Sequence, residues 1–422
     1  MNTENKCCLD ADIVKRCLTN TQQITFEVTE RCNLTCHYCA YGSLYSEKRN
    51  SNCKDLRFET IVLFFKYMKQ LWNTEYNDSF CRDLGVSFYG GEPLLNIDLI
   101  KNTISFIEIE LDNVGRNFMF SMTTNGLLLK KHIDYLVEKN FNILVSLDGD
   151  EDESSYRIRA NGQTCYYQLV QDLNDIRKKY PSFYENNINF NAVLHNKNSV
   201  ESIHRYFSTV WNKIPMISEL NAYGVRKDKE EEFNLMFKNT EKSLTITKNC
   251  SVIERDMKAN VPTYKSAVQF LQNYSEFSYY DYNELLYGKD IRQTTPTGTC
   301  LPFAKKVFIT ASGDILPCER IDHKYSLGKI ANNLVDLNFS RIADLYNHYY
   351  ESVEQICKKC YAQKGCSQCM FYIKDFDAQG SHMNCGSFLN KEQFLIYKNR
   401  QLEFFSRNPE CYHEILTDIK LR

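Results

Sequence analysis

The sequence lacks the features of secreted, membrane-spanning and nucleic-acid-binding proteins. Residues 1–6 are polar and contain no apolar core of the kind that a secretory signal needs. No apolar run approaches the ~20 residues that span a bilayer, because even the run 61–65 is broken by Lys66. The formal net charge is only −2, so electrostatics gives no case for binding nucleic acid or a membrane.

Cysteine, by contrast, is abundant, with 18 in a chain of 422 residues. Without a secretory signal, these cysteines are better explained as metal ligands in a reducing, cytoplasmic protein than as disulfides. Thiolate clusters oxidise easily, which favours an anaerobic setting.

Strand-like and helix-like segments alternate over the first half of the chain. The predicted strands cover residues 23–28, 85–89, 117–123, 142–147, 188–194 and 215–220, with predicted helices between them. Repeated strand–helix units require parallel pairing with the helices outside. We therefore predict an α/β fold, a partial (β/α)6 TIM-like barrel over residues 22–225, with ligand-binding groups at the carboxyl ends of the strands.

The rest of the chain divides into four predicted segments. They are a short N-terminal segment (1–21), a mainly helical bridging region (226–299), a cysteine-rich domain (300–390) and a helical C-terminal segment (391–422). Within the cysteine-rich domain, strand-like residues 306–310 and 314–316 flank a turn, which predicts a β-hairpin. Such a hairpin would bring Cys300 and Cys318 together.

Three cysteines follow the first predicted strand at Cys-x3-Cys-x2-Cys spacing: Cys32, Cys36 and Cys39. Three close thiolates can hold three irons of a [4Fe–4S] cluster and leave the fourth iron open to a small ligand. A zinc site is the alternative, but structural zinc needs a fourth ligand. His37 is poorly placed to supply it, and chance clustering is a further alternative.

This spacing, with Tyr38 before the last cysteine, resembles the motif of the radical S-adenosylmethionine (SAM) enzymes. In that family SAM chelates the open iron and is split reductively into methionine and a 5′-deoxyadenosyl radical. Further family motifs follow the next predicted strands in order. The SAM-binding residues that the resemblance implies are Tyr38, Gly90, Gly91, Glu92, Pro93, Thr124, Asn125, Ser146, Asp148, Arg157, Asn191 and Val193.

Two of these residues have an implied role toward a charged group of SAM. Glu92, in Gly-Gly-Glu-Pro, is expected to accept from the SAM amino group. Arg157 is expected to hold the SAM carboxylate, for which its planar guanidinium is suited, and Arg159 is a close competitor.

The later cysteines resemble the SPASM extension of radical SAM enzymes, which carries two auxiliary [4Fe–4S] clusters, three clusters in all. The resemblance implies one cluster on Cys300, Cys318 and Cys369, and another on Cys357, Cys360, Cys366 and Cys385. A zinc ribbon is the alternative for isolated Cys-x2-Cys pairs. Seven ligands leave the first cluster with an open iron or a distant ligand such as Cys250.

Glu319 directly follows Cys318. Sulfatase-maturing relatives have an aspartate there that is thought to act as a base, so Glu319 is a candidate base. A salt-bridged surface carboxylate is the alternative.

Within the family, the segments around residues 27–42, 87–95 and 298–303 resemble maturases of ribosomally made peptides with double-glycine leaders. The resemblance implies a precursor-peptide substrate, a thioether or carbon–carbon crosslink, and an electron donor such as flavodoxin or ferredoxin. About twenty residues precede the first strand, too few for a leader-binding domain. Leader binding is then expected on another surface, on a separate protein or on a missing N-terminal segment.

Three other functions stay open: a formylglycine-forming sulfatase maturase, a peptide epimerase, and an iron–sulfur electron carrier that makes no radical. The motifs at the strand ends predict a SAM pocket, and an electron carrier has no need of one.

Overall fold

A computed structural model describes residues 8–45, 53–222, 224–258, 262–279, 282–287, 295–373 and 383–417. Its strands are β1 (Gln23–Thr29), β2 (Asp83–Gly90), β3 (Asn117–Thr124), β4 (Asn142–Ser146), β5 (Ile188–Leu194), β6 (Met216–Glu219), β7 (Val307–Ile309), β8 (Asp314–Leu316), β9 (Gly328–Ala331) and β10 (Leu334–Asp336). Its α-helices are α1 (Ala11–Thr19), α2 (Phe58–Trp72), α3 (Ile97–Glu110), α4 (Leu129–Glu138), α5 (Tyr166–Lys179), α6 (Pro181–Asn187), α7 (Val200–Tyr206), α8 (Glu230–Met236), α9 (Thr240–Thr245), α10 (Cys250–Met257), α11 (Pro262–Tyr274), α12 (Tyr282–Tyr287), α13 (Phe339–Cys357), α14 (Lys391–Arg407) and α15 (Pro409–Thr417). No helix in this described part of the chain is long and apolar enough to cross a bilayer.

The first six strands form the parallel sheet that the sequence predicts. Strands β1 to β6 pair in chain order, each parallel to the next, and helices intervene between them. The α/β fold class is therefore confirmed. Parallel order also brings the carboxyl ends of all six strands to one edge, where the predicted site residues lie.

The central strand β1 is buried on both faces. Ile24, Phe26 and Val28 are fully buried, and the alternating residues Thr25 and Glu27 are also almost fully buried. Burial on both faces is typical of the inner strands of a parallel sheet that helices cover.

Helix α2 covers this part of the sheet with an amphipathic face. Ile61, Phe64, Phe65 and Met68 are all fully buried, at the three- and four-residue spacing that places side chains on one side of a helix. The ring of Phe65 lies 5.6 Å from that of Phe26, centroid to centroid. Burying one such phenylalanine contributes about 1.5–3 kcal/mol.

The predicted hairpin forms, and it extends the same sheet. Strand β7 pairs in parallel with β1, Val307 lying opposite Ile24, and β8, β9 and β10 follow as antiparallel neighbours. The sheet thus has ten strands in the order β10-β9-β8-β7-β1-β2-β3-β4-β5-β6. Backbone contacts accordingly group Pro302–Asn338 with Lys15–Thr247, which we call the sheet unit.

The described residues of Met1–Val14, Lys248–Leu301 and Phe339–Arg422 form the second compact unit, here called the helical unit. Helix α11 packs against the two closing helices, with Ala267 touching Phe404 and Cys411 in one buried cluster. Phe270 and Leu271 pack against Ile415 in a second cluster. The predicted closing helices over 391–422 are therefore present, as α14 and α15.

Candidate active site

The loop that carries Cys32, Cys36 and Cys39 leaves the carboxyl end of β1. Two hydrogen bonds tie it to the segment after β4: the Thr35 N–H donates to the Ile158 carbonyl at 2.7 Å, and the His37 N–H donates to the Tyr156 carbonyl at 3.1 Å. All three cysteines are half-buried and form no disulfide. The backbone thus fixes the middle of the motif, on either side of Cys36, at the edge where the parallel strands end.

The three thiols are close enough to influence one another electrostatically. Burial raises the pKa of Cys36 to about 12, Arg157 opposes this, and Cys39 and Cys32 add to it. As they are placed, no three or more His, Cys, Asp or Glu side chains of the described residues form a ready metal site. The donor set nevertheless suits an iron–sulfur cluster, because such clusters are held by soft thiolate ligands and their binding releases the thiol protons.

Gly90 and Gly91 let the end of β2 approach the residues just before Cys32. The Gly91 N–H donates to the Thr29 carbonyl and the Glu92 N–H to the Arg31 carbonyl, each at 2.9 Å. A Cβ on Gly91 would lie 2.0 Å from the Arg31 carbonyl oxygen, and one on Gly90 would lie 2.2 Å from that of Thr29. The paired glycines are therefore required by contact with the protein's own backbone.

Glu92 lies fully buried at the centre of a hydrogen-bond network. Its carboxylate accepts from the Leu94 N–H at 3.1 Å, from the Thr124 hydroxyl at 2.7 Å and from the Asn125 N–H at 2.8 Å. Burial raises the pKa of Glu92, and these hydrogen bonds offset part of the effect. Glu92 thus joins the end of β2 to that of β3, and Pro93, also buried, begins a short 3₁₀ turn over Pro93–Asn96.

Asn125 extends this network to the cysteine loop. Its Nδ2 donates to Asn33 Oδ1 at 2.7 Å and lies 3.8 Å from Cys32 Sγ. The structure therefore brings together four residues that the sequence predicts for one site, namely Cys32, Glu92, Thr124 and Asn125.

A second buried network surrounds Tyr38. The Tyr38 hydroxyl donates to the Asp148 carboxylate and accepts from Arg157 Nη1 at 2.9 Å. The other carboxylate oxygen of Asp148 accepts from the Val193 N–H at 3.0 Å. Tyr38, Asp148 and Arg157 are all at least nine-tenths buried. Through the hydrogen bonds of Asp148, the ends of β4 and β5 are connected to the cysteine loop.

Arg157 retains unused hydrogen-bonding capacity in this network. Its Nε is buried and has no partner among the described residues. Burial opposes its charge, but Tyr38, Cys36 and Asp148 outweigh that effect and raise the pKa of Arg157. Its competitor Arg159 instead donates to Gln168.

Ser146 and Asn191 lie opposite each other in the β4–β5 pairing. Both are half-buried, and Asn191 Oδ1 accepts from the Ser218 hydroxyl at 2.8 Å. They occupy the predicted end of the sheet, and their predicted role toward SAM stays a prediction.

Sequence reasoning missed His195, which lies just beyond β5. It is fully buried, its ring stacks on Tyr38 with centroids 5.8 Å apart, and its Nε2 lies 3.7 Å from Asp148 Oδ2. No motif marks it. The one available signal is its position two residues after Val193, at the strand end where other site residues were expected.

Four of the later cysteines surround one pocket in the helical unit. Cys357, Cys360, Cys366 and Cys385 all line one small pocket, together with Ile356 and Phe388. Burial raises the pKa of Cys357 to about 12, and Cys366, Cys385 and Cys360 raise it further. The four thiols thus line one space without forming a ready metal site as they are placed, and the four-cysteine cluster that the resemblance implies stays a prediction.

Cys300 and Cys369 are neighbours in the same unit. The Met370 N–H donates to the Thr299 hydroxyl at 2.7 Å, which joins the two residues adjacent to these cysteines. Cys250, the suggested distant ligand, has Glu254 and Arg407 as its charged neighbours. The predicted participation of Cys318 with Cys300 and Cys369 stays a prediction.

Glu319 forms an ion pair rather than standing free. Both carboxylate oxygens lie 2.9 Å from Lys306 Nζ, and Oε2 lies 3.6 Å from Cys318 Sγ. Burial would raise the pKa of Glu319, but Lys306 lowers it overall. Glu319 is therefore held ionised, able to accept a proton but weakly basic.

The comparisons agree with this geometry. Residues 26–208, which lie within the sheet unit, match the family model described as the Radical SAM superfamily. Over this stretch the chain is thus similar to radical SAM enzymes, and the same stretch carries most of the parallel α/β sheet described above.

Curated relatives share 25–32% sequence identity with parts of this chain. An uncharacterized protein of Methanocaldococcus jannaschii is 25% identical over 317 residues, 73% of this chain and 88% of that protein. The radical SAM cyclopropyl synthase TigE of Paramaledivibacter caminithermalis is 26% identical over 178 residues, 40% of this chain. The GTP 3′,8-cyclase of Staphylococcus saprophyticus subsp. saprophyticus is 32% identical over 135 residues, 31% of this chain. The aligned part spans 35% of each of the last two proteins.

Solved structures share the fold over nearly the whole chain. Native anSMEcpe with bound AdoMet superposes with a TM-score of 0.56 at 18% identity, covering 94% of this chain and 100% of that one. The same protein with AdoMet and the Kp18Cys peptide gives a TM-score of 0.56 at 17% identity, with 93% and 98% covered. At these identities the likeness shows a common fold.

Proposed function

We propose that this chain is a radical SAM peptide maturase that forms an intramolecular thioether or carbon–carbon crosslink in a ribosomal precursor peptide. One observation carries the proposal. Asn125, after β3, and Asp148, after β4, bond directly to the loop that carries the three cysteines. Glu92, after β2, bonds to Asn125, and the Val193 N–H of β5 bonds to Asp148. An electron carrier would have no use for such a convergence.

Each group has a distinct task in this proposal. Cys32, Cys36 and Cys39 hold a [4Fe–4S] cluster, and when bound, this cluster and SAM supply a carbon radical that abstracts hydrogen. Arg157 has a buried, unpartnered Nε, and a guanidinium in that state is suited to an anionic group such as the SAM carboxylate. Glu92 and Asp148 act chiefly by holding strand ends and loop in register.

The auxiliary sites follow from the second set of cysteines. Cys357, Cys360, Cys366 and Cys385 would hold one [4Fe–4S] cluster, and Cys300 and Cys369 would contribute ligands to another. Such sites would provide an acceptor for the electron that the substrate loses, and a flavodoxin or ferredoxin would supply the electron that starts the reaction. Glu319, kept ionised by Lys306, is the candidate acceptor of the substrate proton.

Two findings support a peptide substrate. The sequence resembles peptide maturases around the first cysteine motif, around Gly-Gly-Glu-Pro and around Cys300. A structure with the same fold holds a peptide together with AdoMet. The presentation of the leader peptide, on this chain or by a separate protein, is part of the same proposal.

Mass spectrometry of a candidate precursor peptide, co-expressed anaerobically with and without this protein, tests the proposal. A crosslink should appear as the loss of two hydrogens without a new aldehyde. An aldehyde would instead indicate formylglycine formation, and solvent deuterium without hydrogen loss would indicate epimerisation. Either result would contradict the crosslinking proposal while leaving the radical chemistry intact.

A further inference from the structure

A tyrosine in the helical unit has a fully buried hydroxyl. Tyr346 lies in the middle of α13 and is 0% exposed. Its hydroxyl has no hydrogen-bond partner among the described residues. Leaving a buried hydroxyl unpaired costs free energy, so a bound group, either a water or a cofactor, is expected to bond to it.

The surroundings of Tyr346 point to a partner at Cys300 and Cys369. Its ring packs edge-on against Phe371, with centroids 6.1 Å apart, and Phe371 lies two residues after Cys369. The Met370 N–H donates to the Thr299 hydroxyl at 2.7 Å, and this hydrogen bond joins the segment that contains Cys300 to the segment 369–371. Burial raises the pKa of Tyr346, and Tyr350, Cys369 and Cys300 are near enough to raise it further.

We propose that the Tyr346 hydroxyl donates a hydrogen bond to a sulfur of the iron–sulfur cluster that Cys300 and Cys369 hold, and so sets that cluster's reduction potential. The inference rests on the proposed function, because it requires the auxiliary cluster. A hydrogen bond to a cluster sulfur stabilises the reduced, more negative state and raises the potential. Tyr346 is thus a positioning and tuning residue, and no bond is made or broken at it.

The cysteine set at the other pocket offers an internal comparison. Tyr274 is a separate tyrosine near Cys360 and Cys366, two of the cysteines that line that pocket. A change at Tyr346 should therefore affect one auxiliary cluster and spare the other.

The test is an EPR-monitored redox titration of the full-length, iron-loaded protein and its Tyr346→Phe variant. The variant keeps the ring and removes only the hydroxyl. The potential of one auxiliary cluster, identified as the signal lost in Cys369→Ala, should shift to a lower value, and the other two clusters should not shift. Hydrogen–deuterium ENDOR gives a second readout, since an exchangeable proton coupled to this cluster should disappear in Tyr346→Phe.

Tyr349→Phe is the matched control, because Tyr349 contacts both Tyr346 and Phe371 in the same aromatic group but is only half-buried. Unchanged potential and ENDOR signals in Tyr346→Phe, or an equal shift in Tyr349→Phe, would overturn the inference. A wild-type protein without any cluster dependent on Cys369 would also overturn it. In that case the auxiliary part of the proposed function would fail as well, which iron analysis would reveal separately.

Discussion

Replacing Gly91 with alanine should force the end of β2 away from the residue before Cys32. The added Cβ would lie 2.0 Å from the Arg31 carbonyl oxygen and 2.5 Å from its carbon. Because a real Cβ essentially never comes within 3.0 Å of such an atom, the two segments must separate by about 1.0 Å, the difference between 3.0 Å and 2.0 Å. Metal–ligand distances tolerate only about 0.2 Å of error, so Cys32 would be displaced beyond that tolerance.

The expected result is a protein that folds but loads the first cluster poorly. Overpacking of this kind costs about 1–3 kcal/mol of unfolding free energy, which thermal unfolding of the apo-protein would measure. Iron and sulfide analysis, with EPR of the reduced protein in the presence of SAM, should show loss of the SAM-responsive cluster and retention of the auxiliary signals.

Gly85→Ala is the matched control, because Gly85 lies on the same strand and its added Cβ would meet nothing closer than 3.4 Å. It should load all clusters normally. Full loading and full SAM cleavage in Gly91→Ala would refute the reasoning, since the close backbone approach would then be unnecessary for the cluster loop.

Two further predictions concern buried or paired carboxylates. Glu27 accepts from the Tyr41 hydroxyl at 2.9 Å and from the Ala311 N–H at 3.0 Å, and burial raises its pKa above the model-compound value of 4.5. Between pH 4.5 and the folded-state pKa of Glu27, this carboxyl is protonated in the folded protein and ionised in the unfolded chain. As pH rises through this range, unfolding free energy should therefore fall by up to about 1.4 kcal/mol per pH unit. Glu27→Gln should remove this slope in apo-protein unfolding curves, and identical slopes in both proteins would contradict the assignment. Glu319→Gln should keep SAM cleavage but lower peptide product formation by roughly 10²-fold or more, the typical contribution of a general base. Unchanged product formation in Glu319→Gln would contradict the role of Glu319 as a base and leave only its ion pair with Lys306.

Much of the sheet unit could be predicted because its signals are local. Each of the six parallel strands was located within two residues of its observed ends, since short apolar runs alternate with amphipathic helices. The hairpin of β7 and β8 was also predicted from a local signal, two strand-like runs that flank a turn. The pairing of β7 with β1 was not, because it joins residues about 280 positions apart through a three-residue strand and leaves no local pattern.

In the candidate site, too, local motifs predicted the positions of residues but not their partners. The positions of Gly91 and Glu92 were predicted from a motif, but their contacts were not. Gly91 was predicted as a SAM-binding residue, and the structure shows in addition its close approach to the Arg31 carbonyl. Glu92 was predicted to accept from the SAM amino group, and the structure shows its bonds to Leu94, Thr124 and Asn125. Both roles toward SAM stay predictions. Such partners are set by how the strand ends converge, which sequence spacing alone does not specify.

The most direct test of the central claim is anaerobic incubation of the iron-loaded protein with SAM and a strong reductant. The account predicts 5′-deoxyadenosine and methionine from the wild-type protein and none from Cys36→Ala. Cys360→Ala, altered at the other pocket, should still cleave some SAM while losing peptide product. No 5′-deoxyadenosine from a fully loaded wild-type protein, or equal amounts from Cys36→Ala, would contradict the radical SAM assignment.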